Sequence, residues 1–271
     1  MTIIKGRVSG AISAFHSGDL RKRLSMFGDD ILGLWVPQPG VSFSAGVALG
    51  SAVPGVFSSA IGRRDRLGMR AYGAARGATY RVVDGLMAMD CSTGSANFKT
   101  TPTSTASFGL GLILHLDAAC LTAARTIAGN GEQGGGYFSH ALTRSYGGAV
   151  DGFVGWQGVS STYLRDTADV YTRKDCTITK PGWYVFSLDR NNGLNGMAIN
   201  GGRVAVNTAG TTPPTMTSTY VGSNSSAVGA PGTVSMAALF ACNGPLAQSA
   251  DRLAQWRDLA AAIQRDLTVS G

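Results

Sequence analysis

The chain has 271 residues, 44% apolar and only 14% charged, so it has apolar material for a sizeable core and too little charge to stay disordered. A net charge of +7 and a pI near 9.5 suit an anionic partner, but the densest basic stretches, Arg21-Lys22-Arg23 and Arg63-Arg64-Asp65-Arg66, lack the interleaved aromatics of a single-strand-binding platform, which sets nucleic acid aside. No apolar run is long enough to insert in a membrane, no secretory leader is visible in the first thirty residues, and Cys91, Cys120, Cys176 and Cys242 are far apart without a C-x-x-C pair, so they read as buried free thiols.

In chain order, residues 1–30 read as an N-terminal arm for attachment or oligomer contacts. Ile3, Ile4 and Val8 suggest a short strand there, and Ala11 to Phe27 mixes apolar and basic residues. From Ile31 onward, short apolar runs are cut by Gly, Pro, Ser and Thr at intervals of about ten residues, the spacing of a sandwich of many short strands. The 38 glycines agree, because sheet proteins need many turn positions with positive φ. Residues 31–271 are therefore expected to form one domain, with strands at 79–83, 86–90, 107–116, 125–129, 137–140, 150–156, 176–180, 182–188, 197–199, 203–206, 218–221 and 234–241.

Two local readings are sharper. In the run from Trp183 to Leu188 one face would carry Trp183, Val185 and Ser187 and the other Tyr184, Phe186 and Leu188. Both faces are covered, which marks a central strand between two layers. Asn200-Gly201-Gly202 is a hairpin signal, since Asn and Gly tolerate the left-handed region. The tail changes period: Leu253, Trp256, Leu259, Ile263 and Leu267 recur at helical spacing, with Ser249 as N-cap and Asp251 near the positive end of the dipole. One amphipathic helix, 249–267, is expected to end the domain, with Trp183 and Trp256 in the core.

Two stretches carry a family resemblance. The first is Ala75-Arg76-Gly77-Ala78-Thr79-Tyr80, then Asp84-Gly85-Leu86, Met89 to Gly94, Phe98 and Arg125-Thr126-Ile127-Ala128-Gly129. The second is Gly182-Trp183-Tyr184-Val185-Phe186, Asp189-Arg190, Asn195 to Gly201, Tyr220-Val221-Gly222-Ser223 and Met236 to Phe240, closing at Leu246 and the tail helix. Over residues 31–271 this series resembles the concanavalin A-like, laminin-G-like jelly rolls of phage-type spike, fibre and tail proteins. Met197-Ala198-Ile199 departs from it, standing where a Tyr-Val is usual. The resemblance implies an all-β, two-sheet antiparallel jelly-roll sandwich, commonly trimeric.

Catalysis finds little support in the residues. Glycosidases on this fold, as the resemblance implies, carry paired glutamates in one cleft, but this chain has the single glutamate Glu132 in a glycine-rich run. Asp29-Asp30 would face opposite ways on a strand, and Asp166 with Asp169 reads as a turn. His16, His115 and His140 lie in unrelated contexts without a G-x-S-x-G elbow or an H-E-x-x-H pair. His115, in an apolar run, reads as a satisfied strand histidine. No cofactor is expected apart from a structural calcium, for which Asp84, Asp90 and Asp151 are candidate ligands, although turn-capping is the favoured role because no D-x-D-x-D cluster exists.

What remains is a binding surface. The stretch from Tyr137 to Trp156 gathers aromatics, an arginine and glycines; aromatic faces stack on pyranose rings while arginine bonds hydroxyls or acidic groups. Tyr137, His140, Arg144, Tyr146 and Trp156 are the candidate ligand residues, against an alternative in which Phe138, Phe153 and Trp156 are core. The expected function is a non-enzymatic, virion-surface receptor-binding protein, made in a bacterial host cytoplasm, that recognises host cell-surface glycan and meets other particle proteins through its arm. The alternative is a structural capsid-decoration or tail-assembly subunit.

Overall fold

The computed structural model describes residues 18–36, 50, 56–58, 72–91, 97–104, 107–122, 125–130, 138–144, 154–160, 170–172, 178–192, 194–208, 217–222 and 234–269. Among them sixteen strands form two antiparallel sheets of eight. The first runs β14 (Gly202–Thr208), β13 (Leu194–Ile199), β12 (Gly182–Asn191), β7 (Phe108–Leu116), β16 (Val234–Asn243), β5 (Leu86–Asp90) and β4 (Thr79–Val83), with β1 (Ile31–Trp35) also paired to β16. The second runs β11 (Val170–Thr172), β10 (Val154–Ser160), β9 (Phe138–Arg144), β8 (Arg125–Asn130), β15 (Thr217–Val221), β6 (Asn97–Ser104), β3 (Tyr72–Arg76) and β2 (Val56–Ser58). The helices are α1 (Gly18–Ser25), α2 (Ala118–Thr122) and α3 (Ala250–Leu267). None of these is long and apolar enough to cross a membrane. The fold is thus an all-β jelly-roll sandwich closed by one amphipathic helix, as the sequence pattern predicts.

Period-two alternation divides the first sheet between two cores. On β7, Leu110, Leu112, Leu114 and Leu116 join the inter-sheet cluster with Phe186, Leu188, Met236 and Leu239, which also takes in Ile127, Ala128 and Val221 of the second sheet. Ile113, on the opposite face of β7, joins Phe240, Leu246, Trp256, Leu259, Ile263 and Leu267 under α3. β12 lies between β13 and β7, so the central-strand expectation is met. Trp183 differs from its expected core role in being only partly buried: its Nε1 donates to the Val83 carbonyl at 3.0 Å and its ring meets His115 edge-on at 5.3 Å.

The local signals also resolve. Asn200 and Gly201 have φ of +50° and +80°, the paired left-handed residues of a tight hairpin turn. The Ser249 side chain accepts from the Arg252 amide at the start of α3. Residues 18–30, the end of the expected arm, pack on this layer. Leu24 and Phe27 are buried beside Trp256, the Phe27 ring lies 4.7 Å from Phe240, and Asp30 pairs with Arg252. Residues 1–17 lie outside the described residues. Residues 178–180 at the end of the expected 176–180 strand are not strand.

Cys91, Cys120 and Cys242 are buried free thiols, while Cys176 lies outside the described residues. Burial pushes the Cys91 and Cys242 thiols up, the latter to about 12 despite the nearby Arg252. The thiolate is the reactive form, so neither thiol should be alkylated by iodoacetamide in the native protein at pH 8, and both should be in guanidinium. Peptide mass spectrometry reads the difference; rapid native labelling at Cys242 would contradict the packing.

Candidate functional site

The β9–β10 register sets Arg144 opposite Val154, Leu142 opposite Trp156 and His140 opposite Gly158. Directly paired residues share a face, so His140, Arg144 and Trp156 lie on one face, with Trp156 diagonal to both of the others. Following that row across the sheet, Trp156 pairs with Leu142, Leu142 with Ala128 and Ala128 with Val221. Ala128 and Val221 are buried in the inter-sheet core. β10 lies near β13 and β11 near β14 of the first sheet.

Tyr137 and Tyr146 lie outside the described residues. At about 3.3 Å per residue, Phe138 and Arg144 stand about 20 Å apart along β9, so residues 137 and 145 are joined to opposite ends of the strand. One pairing was not foreseen: Arg125 on β8 sits directly opposite Arg144. The shift in register between Thr126 and Ala128 creates it, and a bulge of this kind cannot be read from residue order.

His115, 7% exposed, bonds through Nε2 to Asp84 Oδ2 at 2.7 Å. Ser235 is its cross-strand neighbour, but Ser235 Oγ donates to Asp90 Oδ1 at 3.1 Å, and Asp90 also pairs with Arg81. A nucleophile and base need Ser and His bonded to each other; here each has another partner. Asp189 is fully buried and accepts from Leu246 N, Gln248 N and Gln248 Nε2 at 2.7 to 2.8 Å.

Of the expected calcium ligands, Asp84 is held by His115 and Asp90 by Arg81 and Ser235. Asp151, Glu132, His16, Asp166 and Asp169 lie outside the described residues. Among the described residues no three His, Cys, Asp or Glu side chains gather as a metal site.

The fold is a jelly-roll β-sandwich in which Asp84, Asp90 and Asp189 make structural hydrogen bonds. It is similar to domain 4 of AbnA, a GH43 extracellular arabinanase from Geobacillus stearothermophilus solved with arabinotriose, at a TM-score of 0.55 and 14% identity over 85% of this chain and 98% of that one. It is also similar to Trypanosoma rangeli sialidase in complex with sialic acid, at 0.53 and 14% over 90% of this chain. The botulinum neurotoxin serotype D binding domain matches at 0.51 and 9% over 85%. The chain spans 38% of the sialidase and 52% of the toxin fragment. No family model and no curated protein matches the sequence.

Proposed function

We propose that this chain is a non-catalytic glycan-binding module, carried on the surface of a phage-type particle as a spike, fibre or tail component and directed at host polysaccharide. The observation that carries the glycan reading is the match to a domain solved with a bound trisaccharide: it takes up 98% of that domain, so the whole sandwich is shared and not a sub-piece. The particle setting rests on the resemblance of the two motif series, and trimerisation and attachment through residues 1–30 belong to the same reading. The non-catalytic part draws support from Asp84, His115, Asp90, Ser235 and Asp189, each engaged in structural bonding. Calcium stays outside the proposal, because Asp84 and Asp90 already have partners.

Tyr137, His140, Arg144, Tyr146 and Trp156 are the proposed ligand residues. Their chemistry supplies aromatic faces for sugar rings and a guanidinium for hydroxyl or acidic groups. The register of Trp156 with Leu142, and of Leu142 with the buried Ala128, favours a second reading, a structural subunit in which this region only packs. A glycan array and host-cell binding assay with Arg144→Ala and Trp156→Ala separates them. Arg144→Ala is expected to weaken binding about tenfold, the worth of one charged hydrogen bond, with unchanged melting, whereas Trp156→Ala should lower melting as well. A folded protein that binds no glycan and no cell would leave the structural-subunit reading.

A further inference from the structure

A second concavity lies on the helix side of the first sheet, away from β9 and β10. The first turns of α3 and the β13–β14 turn enclose an open groove of about 390 Å³, lined by Gly201, Arg203, Ala250, Leu253, Ala254 and Arg257. That volume is at the small end of the range for small-ligand pockets, about 300 to 1,000 Å³. Positions 250, 253, 254 and 257 recur at i, i+3, i+4 and i+7, so one stripe of α3 forms a wall.

The two arginines are placed differently. Arg203 is anchored, its Nε donating to the Ala247 carbonyl at 3.2 Å and one terminal nitrogen to the Gln248 carbonyl at 2.7 Å. The Arg257 stem runs over Gly201, where an added Cβ would lie 2.8 Å from Arg257 Cδ, so glycine both makes the turn at φ +80° and leaves room for the stem. The nearest carboxylate to the Arg257 guanidinium among the described residues is Asp258, at 3.8 Å with both side chains more than half exposed. Such a pair is worth little and leaves the guanidinium fork open to a ligand. Asp251 and Asp258 follow positions 250 and 257 by one residue, about 100° round the helix and off the groove stripe. The groove also lies at the positive end of the α3 dipole.

We propose that this groove binds the carboxylate of an acidic sugar, with Arg257 forking to the carboxylate, Arg203 adding positive charge, and the ring's C–H face on Leu253, Ala250 and Ala254. A bare anion would use the guanidinium and leave that apolar wall idle. The inference rests on the glycan-binding reading and names its substrate class as uronate-containing saccharide. It also gives the net charge of +7 a chemical use.

The test titrates the full chain with glucuronic acid, glucose and acetate, read by ligand-observed saturation-transfer NMR, beside Arg257→Ala and Arg257→Lys. Glucuronic acid should bind, glucose should give no signal at the same concentration, and acetate should compete at least tenfold less well. Arg257→Ala should weaken glucuronate at least tenfold with unchanged melting, and Arg257→Lys should recover part of the loss, because one charge returns without the fork. Absent glucuronate binding, equal binding by Arg257→Ala, or equal competition by acetate would overturn the proposal. The two readings fail separately: an array positive for neutral glycans with no glucuronate binding removes only this groove, while glucuronate binding with a blank array upholds the groove and removes the polysaccharide reading.

Discussion

Replacing Asp189 by Ala is expected to destabilise the protein by about 3 to 5 kcal/mol, the range for stranding partners of a buried charge. Its Oδ2 takes the Leu246 and Gln248 amides and its Oδ1 the Gln248 side chain, which also reaches the Leu194 carbonyl at 3.1 Å. One carboxylate on β12 therefore fixes the segment that leads into α3. A Cβ at Gly196 would collide with Asp189 Oδ1, so the glycine opposite is part of the same device. Asp189→Asn keeps one acceptor for the two amides and should cost less than half as much.

The pH dependence follows from the same group. Burial pushes the Asp189 carboxyl above its ordinary value, against the downward pull of the Gln248, Leu246 and Ala247 donors. The unfolded chain then ionises first as pH rises, so the ionisation-linked part of this group's contribution is full below the ordinary carboxylate value and is lost as pH climbs through the folded-state value, while its hydrogen bonds remain. The Asn variant should lack that slope. Guanidinium unfolding across pH 3 to 8 measures both effects; an Asp189→Ala midpoint within about 1 kcal/mol of the parent would contradict the assignment.

The second large effect is at Trp256, for which Trp256→Ala is expected to cost about 4 kcal/mol. The indole is fully buried, stacks on Phe240 at 5.5 Å and 10°, and donates Nε1–H to the Phe186 carbonyl at 3.0 Å. It fits flat on the sheet because Gly111 has no side chain: a Cβ there would lie 2.5 Å from Trp256 Cε2. Gly111→Val should therefore destabilise from the other side of the same contact, and combining it with Trp256→Ala should cost less than the sum of the two. Trp256→Phe, which keeps a ring and loses the donor, should cost about 1 to 2 kcal/mol. Unfolding midpoints with an unchanged denaturant slope read these values; additive losses would mean that the two residues do not share a contact.

The tail helix was legible because five apolar positions at helical spacing and a Ser N-cap agree, and all five are buried in the structure. β12 was legible because apolar residues on both of its faces leave a buried central strand as the simple solution. β6 escaped since it carries Pro102 and a polar run, a composition that argues against a strand. It is nonetheless held between β15 and β3, with register shifts on either side of the Ser218–Pro102 pairing. β2 and β11 are only three residues long, too short for alternation to show.

The candidate site was legible as a composition and not as a geometry. Aromatics and an arginine between Tyr137 and Trp156 are visible in the sequence, but their face depends on register, and a one-residue slip inverts it. The shift around Ile127 is what sets Arg125 opposite Arg144 and ties the Trp156 row to Ala128 and Val221. The α3 groove escaped for another reason. Arg203 and Arg257 are 54 residues apart in sequence, and only the docking of the helix beside the β13–β14 turn joins them.

The central claim, recognition of glycan without cleavage, is tested most directly by incubating the purified full chain with host polysaccharide while measuring retention on that polysaccharide and release of new reducing ends together. Saturable retention with no increase in reducing ends is the predicted result. Release of reducing ends by the purified chain, or no retention by a protein shown to be folded, would contradict it.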